Sequence, residues 1–116
     1  MLKRRRIAAT RPFARHEPGE IVTARVSNPL ENPGTKGKSR PAILLKREGA
    51  RWLVMGLTTR SHFADGTPRR YVPSSMASGL AGKAYLWGRF TWICTLDVGD
   101  HIGRASPELL ALIAAD

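Results

Sequence analysis

Arg40-Pro41-Ala42-Ile43-Leu44-Leu45-Lys46, then Glu48-Gly49-Ala50, then Arg51-Trp52-Leu53-Val54-Met55-Gly56-Leu57-Thr58-Thr59 is a run of two apolar stretches hinged on a short turn. The first reads as a buried strand, with Pro41 tolerated at its start because a strand's first residue need not donate to the ladder. Glu48-Gly49-Ala50 is a hairpin turn, so the two runs form an antiparallel pair. Before them, Glu20-Ile21-Val22-Thr23-Ala24-Arg25-Val26 is β-rich, with Val22, Ala24 and Val26 on one face. After them, residues 69–73 suggest a short strand and residues 83–93 a strong one. In that strand Ala84, Leu86, Gly88, Phe90 and Trp92 point one way, and Tyr85, Trp87, Arg89, Thr91 and Ile93 the other. Residues 97–104 hold turns and room for one more strand piece. The end reads as a helix. Ser106 is a good N-cap, Pro107 suits the first helical position and Glu108 the first turn, and Leu109, Leu112 and Ile113 form an apolar stripe. Five or six short strands and one terminal helix predict a mainly β protein, a small curled antiparallel barrel.

The chain has 116 residues, one domain's worth, and 42% of them are hydrophobic, so a single globular core is expected. No apolar run approaches the roughly 18 residues a membrane helix needs. The lone cysteine, Cys94, excludes an intrachain disulfide and a cysteine-built metal site, and its apolar strand predicts a packed small hydrophobe. His16, His62 and His101 show no zinc-ligand spacing. Nineteen Lys and Arg against nine Asp and Glu give a net charge of +10. Residues 1–18 hold six basic residues and one acidic one, so half of the excess lies in a basic N-terminal arm and half in the body, residues 19–116. Both halves point to a polyanionic partner, either nucleic acid or an acidic protein segment. The arm lacks the apolar stretch of a secretory signal.

Several chemistries can be set aside. Gly37-Lys38-Ser39 resembles the end of a phosphate loop, but Asn32 stands where that loop needs a glycine, and a strand follows rather than a helix. The flexible loop 28–39 still offers Lys36 and Lys38 to a phosphate backbone. Ser61-His62 and Asp65 are neighbours on one loop and form no legible hydrolase triad.

One pairing is more specific. Arg40 lies nine residues before Gly49 and Thr58 nine after it. A hairpin centred on Gly49 therefore brings them together at one end of the strand pair. A guanidinium beside hydroxyls at the mouths of two loops is a phosphate-binding arrangement. From these residues alone a strand-end salt bridge and a turn hydroxyl are the favoured account of the pattern.

From Gly19 onward the chain resembles the MazF/PemK family of bacterial toxins. The matching pieces are Gly19-Glu20-Ile21-Val22, Gly37-Lys38-Ser39-Arg40-Pro41, Leu57-Thr58-Thr59 and Ile102-Gly103-Arg104-Ala105-Ser106-Pro107-Glu108, in that order. The resemblance implies an SH3-like barrel of CcdB/PemK type with a C-terminal helix, forming a homodimer in the cytoplasm. It implies an endoribonuclease that cuts single-stranded RNA at short sequences with no metal and no cofactor. It also implies an antitoxin partner whose acidic C-terminal segment occupies the RNA groove.

Carried over by motif, Arg40 neutralises charge on the scissile phosphate and Thr58 orients it, while the RNA's own 2′-hydroxyl attacks to leave a 2′,3′-cyclic phosphate. Lys36, Lys38, Thr59, Arg60, Trp87 and Arg89 are the further RNA contacts expected. The chain departs from the family at Gly88, where some members carry an Asp used in acid–base chemistry. His62 is the nearest substitute, since an imidazole exchanges protons near neutral pH. Trp52, Tyr85 and Trp92 join Trp87 as aromatics on which bases could stack. Two other functions suit the same pattern. One is a non-catalytic module that binds nucleic acid or protein, and the other is a gyrase poison of CcdB type.

Overall fold

The turn at Gly49 adopts φ +59, a value that favours glycine, and the chain reverses there as the sequence predicts. The computed structural model describes residues 16–26, 38–73, 76, 79, 80 and 82–115. Strand β2 (Lys38–Glu48) returns antiparallel as β3 (Arg51–Thr58), with Ala42 opposite Gly56, Ile43 opposite Met55 and Leu44 opposite Val54. One extra residue near Leu45 shifts the register before the turn. β1 (Glu20–Val26) lies on the other side of β2 and places Ala24 opposite Arg40.

β4 (Tyr71–Val72) is only two residues long and pairs with the start of β5 (Ala84–Cys94). A 3₁₀ turn, Thr95–Asp97, leads into β6 (Val98–Arg104), which pairs with β1. The strand order is β4-β5-β3-β2-β1-β6, and every pairing is antiparallel. β1 also touches β5, although β2 and β3 lie between them in the sheet. The sheet is therefore curled into a half-barrel, because twist accumulates across neighbouring strands.

Helix α1 (Pro107–Ala114) opens as the sequence predicts, the Ser106 hydroxyl accepting a bond of 3.1 Å from the Leu109 amide. Leu109 and Ile113 are buried in the core cluster, and Leu110 and Leu112 pack against it. Residues 17 and 18, grouped by composition with the basic arm, are fastened to the sheet. Arg104 donates to the Glu17 carboxylate at 3.2 Å and to the Pro18 carbonyl at 3.4 Å. The Gly19 amide donates to the Leu44 carbonyl at 2.7 Å. Residues 1–15 of that arm lie outside the described residues.

Two expectations are corrected. Cys94 is exposed, because it pairs with Arg51 on the outer side of the hairpin end. The strict alternation read for β5 breaks at Gly88. Met55 pairs with Phe90 and Leu57 with Leu86, so four steps along β5 match two along β3. The surplus residues form a bulge in which Gly88 takes φ +89. Leu86 and Trp87 are both buried on one side of it, and Gly88, Arg89 and Phe90 are exposed on the other.

Candidate nucleic-acid interface

Ala42 and Gly56 are the last residues paired between β2 and β3 at this end. Arg40 and Thr58 lie two residues beyond that last pair, one on each strand. Residues two apart in a strand share a face, so Arg40 and Thr58 lie on the face of Ala42 and Gly56. Trp87 lies against that face. A Cβ built on Gly56 would sit 2.8 Å from the Trp87 ring, so the indole packs directly on backbone, where only glycine leaves room.

The Trp87 ring in turn carries Arg40. The guanidinium carbon stands 5.0 Å from the ring centroid, within cation–π range. The Nε of Arg40 is buried and has no hydrogen-bond partner among the described residues. A buried donor without a partner is uncommon in a folded protein and is satisfied when a ligand supplies an acceptor. Thr58 is half-buried, and its hydroxyl oxygen accepts a bond of 3.2 Å from the Arg60 amide. The hydroxyl's own proton remains available to donate.

The loop after β3 is built, not loose. Phe63 and Thr67 close a tight turn in which the Phe63 amide donates to the Thr67 carbonyl at 2.8 Å and the Gly66 amide to the Phe63 carbonyl at 2.9 Å. Asp65 accepts from the Thr67 amide at 2.9 Å. Bonds from the Thr67 hydroxyl and amide hold the Asp65 carboxyl below its usual range. His62 is exposed, with its Nδ1 2.7 Å from the Ser61 hydroxyl.

Arg69 fastens this loop to β5. It is 6% exposed, donates from one terminal nitrogen to the His62 carbonyl at 2.7 Å and from Nε to the Trp87 carbonyl at 3.2 Å, and stacks on Phe63 at 4.4 Å. Trp87 thus meets Arg40 through its ring and Arg69 through its carbonyl. Arg40 and the His62 loop converge on one residue of β5, and Thr58 pairs with Tyr85 on the same strand.

Thr59, Arg60 and Arg89, expected as RNA contacts, are exposed. Trp87, expected among them, is 2% exposed and belongs to the core cluster. It is a support beneath Arg40 rather than a free stacking surface, because the Gly56 backbone lets it sink into the sheet. Trp52 is likewise core, at 1% exposure. Tyr85 is half-buried against Tyr71, with ring centroids 5.5 Å apart. Trp92 is partly exposed beneath Arg51, 4.3 Å from its guanidinium carbon. Lys36 and the Lys38 side chain lie outside the described residues.

The sequence reading missed Arg69 and Gly56. Gly56 carried a usable signal, since a glycine inside an otherwise apolar strand marks a close approach. No family model matches this chain, and no curated protein is significantly similar to it.

Proposed function

We propose that this chain is an endoribonuclease of MazF/PemK type, the toxin of a toxin–antitoxin pair. The observation that carries the reading is Arg40. It is a guanidinium propped on an indole, with a buried Nε that has no partner among the described residues, two residues beyond the last β2–β3 pair on β2 as Thr58 is on β3. A pre-positioned cation and a hydroxyl donor are what a phosphodiester needs as negative charge grows on its oxygens. The substrate is single-stranded RNA, and its 2′-hydroxyl is the nucleophile. The 2′-oxygen forms a bond to phosphorus, the bond from phosphorus to the 5′-oxygen breaks, the 2′-hydroxyl proton leaves and the departing 5′-oxygen gains one. His62, exposed on a loop tied to Trp87 through Arg69, is the candidate for one of those proton transfers. The reaction as written needs no metal and no cofactor.

On this reading the curled sheet and its helix are an SH3-like barrel of CcdB/PemK type. The working form is a cytoplasmic homodimer, and an antitoxin with an acidic C-terminal segment competes with RNA for the same basic surface. The net charge of +10 suits both polyanions.

A second reading is favoured by Gly88. A Cβ at that position would overlap the Phe63 ring, and the backbone there has φ +89, so position 88 has no room for a carboxylate. Without a base from that position, a module that binds RNA and does not cut it is the alternative.

One experiment separates them. The purified protein is incubated with a long mixed-sequence RNA in EDTA beside Arg40→Ala, and the cut ends are mapped. Recurrent cuts ending in cyclic phosphates, absent with Arg40→Ala, support the nuclease. Salt-sensitive binding without cuts supports the module. Cleavage that Arg40→Ala leaves intact overturns the site.

A further inference from the structure

The outer side of β5 is occupied only as far as Trp87. β4 pairs with Ala84 and Tyr85, the Leu86 amide donates to the Arg70 carbonyl at 2.9 Å, and Arg69 donates to the Trp87 carbonyl. From Arg89 to Cys94 no described strand lies beside it. Such an edge presents a row of amide and carbonyl groups able to pair with another strand. Phe90, Trp92 and Cys94 pair with Met55, Leu53 and Arg51, so they share one face. Phe90 is 44% and Trp92 37% exposed. A cavity lies near each end of this edge. The first, of about 450 Å³, is lined by Phe63, Phe90, Met55 and Leu86. The second, of about 560 Å³, is lined by Arg51, Trp92 and Cys94.

The backbone decides the class of partner. A row of amides and carbonyls is matched by a peptide main chain, with pockets taking alternate side chains, and a nucleic acid has no such row. Charge decides the composition. Arg89 is exposed on the edge, Arg51 lies over Trp92 at its far end, and Arg70 lines the first cavity. Glu48, the acid of the second cavity, is already shared by Lys46 at 3.1 Å and Arg51 at 3.7 Å. A second copy of a chain of net charge +10 brings repulsion to this edge, and an acidic segment brings attraction.

We propose that the edge Arg89–Cys94 binds an extended acidic segment of a partner protein. The segment adds a strand to the sheet and seats an apolar side chain beside Phe90 in the first cavity. The bulge at Gly88 ends the pairing, so the added strand is short. Met55 and Gly56 are adjacent in β3, so this cavity and Arg40 lie on opposite faces. The proposal goes beyond the ribonuclease reading and does not rest on it, and its segment is not one that competes with RNA at Arg40.

The probe is a displayed library of acidic peptides of about ten residues, the upper length of ordinary strands. It is panned on the full chain, and the selected peptides are synthesised and titrated against wild type and Phe90→Ala. Phe90 is exposed, so Phe90→Ala is compatible with folding, and thermal unfolding checks it. Each peptide is also made in two forms, with one or the other set of alternate amides N-methylated, which tests strand pairing on the unaltered protein.

The form whose methylated amides face β5 should bind roughly tenfold or more weakly, and the other form nearly as well as its parent. Bound peptide should slow amide exchange within Arg89–Cys94. Phe90→Ala should weaken binding roughly tenfold, after which truncating the peptide's apolar anchor to Ala costs little more. Equal loss in both methylated forms, or in neither, means that no strand is added and overturns the proposal. So does a library from which nothing binds wild type better than Phe90→Ala. If Phe90→Ala instead weakens binding of single-stranded RNA, the edge serves nucleic acid. If sedimentation shows an assembly that Phe90→Ala dissociates, the edge joins copies of the chain. Either result overturns the proposal and leaves the Arg40 reading to its own test.

Discussion

The Arg40 guanidinium carbon lies 5.0 Å from the centre of the Trp87 ring, and that ring rests on the backbone of Gly56. The three form a stack in which a glycine makes room for an indole and the indole sets the position of a cation. Gly56→Ala places a methyl 2.8 Å from the indole, so Trp87 must shift. Overpacking of this kind costs about 1–3 kcal/mol, read from urea unfolding. The same variant is expected to weaken RNA binding although residue 56 is too buried to touch RNA.

Gly88→Asp tests whether an acidic group can be placed where some toxins have one. The backbone at φ +89 is costly for any residue with a Cβ, and the new side chain meets Phe63. The expected outcome is destabilisation of about 2 kcal/mol or more, with no gain in RNA cleavage. Chemical denaturation and the cleavage assay check the two halves separately.

Arg69 is nearly buried and donates to two backbone carbonyls, those of His62 and Trp87. Arg69→Ala leaves both acceptors without this donor and removes the stack on Phe63, at a cost of about 2–4 kcal/mol. Hydrogen exchange at the Phe63 and Gly66 amides should speed up, since the loop loses its tie to β5. Arg69→Lys should not restore protection, because a single ammonium does not reproduce a planar fork that reaches two carbonyls.

Acid sensitivity should centre on Glu20. One of its carboxylate oxygens lies 2.8 Å from Nδ1 of both His16 and His101, and the other accepts from the Glu17 amide at 3.0 Å. Burial pushes the Glu20 carboxyl up, but the bonds from His101, Glu17 and His16, with the charge of His16, outweigh it and hold it below its ordinary value of 4.5. A carboxylate lowered in the folded state contributes its stability above its unfolded value, and that stability is lost as pH falls through the folded value. Thermal unfolding followed downward from pH 7 should show a fall in Tm beginning near pH 5. In Glu20→Gln that fall should be shallower.

The salt dependence of RNA binding should report the exposed arginines. Arg89→Ala and Arg60→Ala are each expected to reduce the slope of log affinity against log salt by about one, with no change in preferred sequence. Titrations at several salt concentrations measure it.

The hairpin was legible because its signals are local: apolar runs, a glycine turn and near-equal arms about Gly49. The same symmetry put Arg40 and Thr58 at one end of the strand pair, each two residues beyond its last paired residue. Ser106 and Pro107 announced the helix for a similar reason, since capping is a property of adjacent residues. Trp87 was misread because burial is decided across strands, by a glycine on β3 that sequence alternation on β5 does not register. Arg69 was hidden differently. Beside Arg70 in a basic chain it looked like surface charge, and its partners are main-chain carbonyls, which leave no mark in the sequence. At Gly88 the resemblance alone suggests a missing acid, whereas the structure shows a bend in which a Cβ would meet the Phe63 ring.

That bend also bears on how the protein behaves when crowded. β4 covers only the first residues of β5, and among the described strands nothing lies along the outer edge of Arg89–Cys94. An open edge carrying Phe90 and Trp92 is a template on which other chains could grow a fibril. The surplus residues at Gly88 kink the strand at the start of that edge, and Arg89 sets a charge beside the kink. A straight incoming strand finds its register broken there, so the fold carries a built-in brake on aggregation.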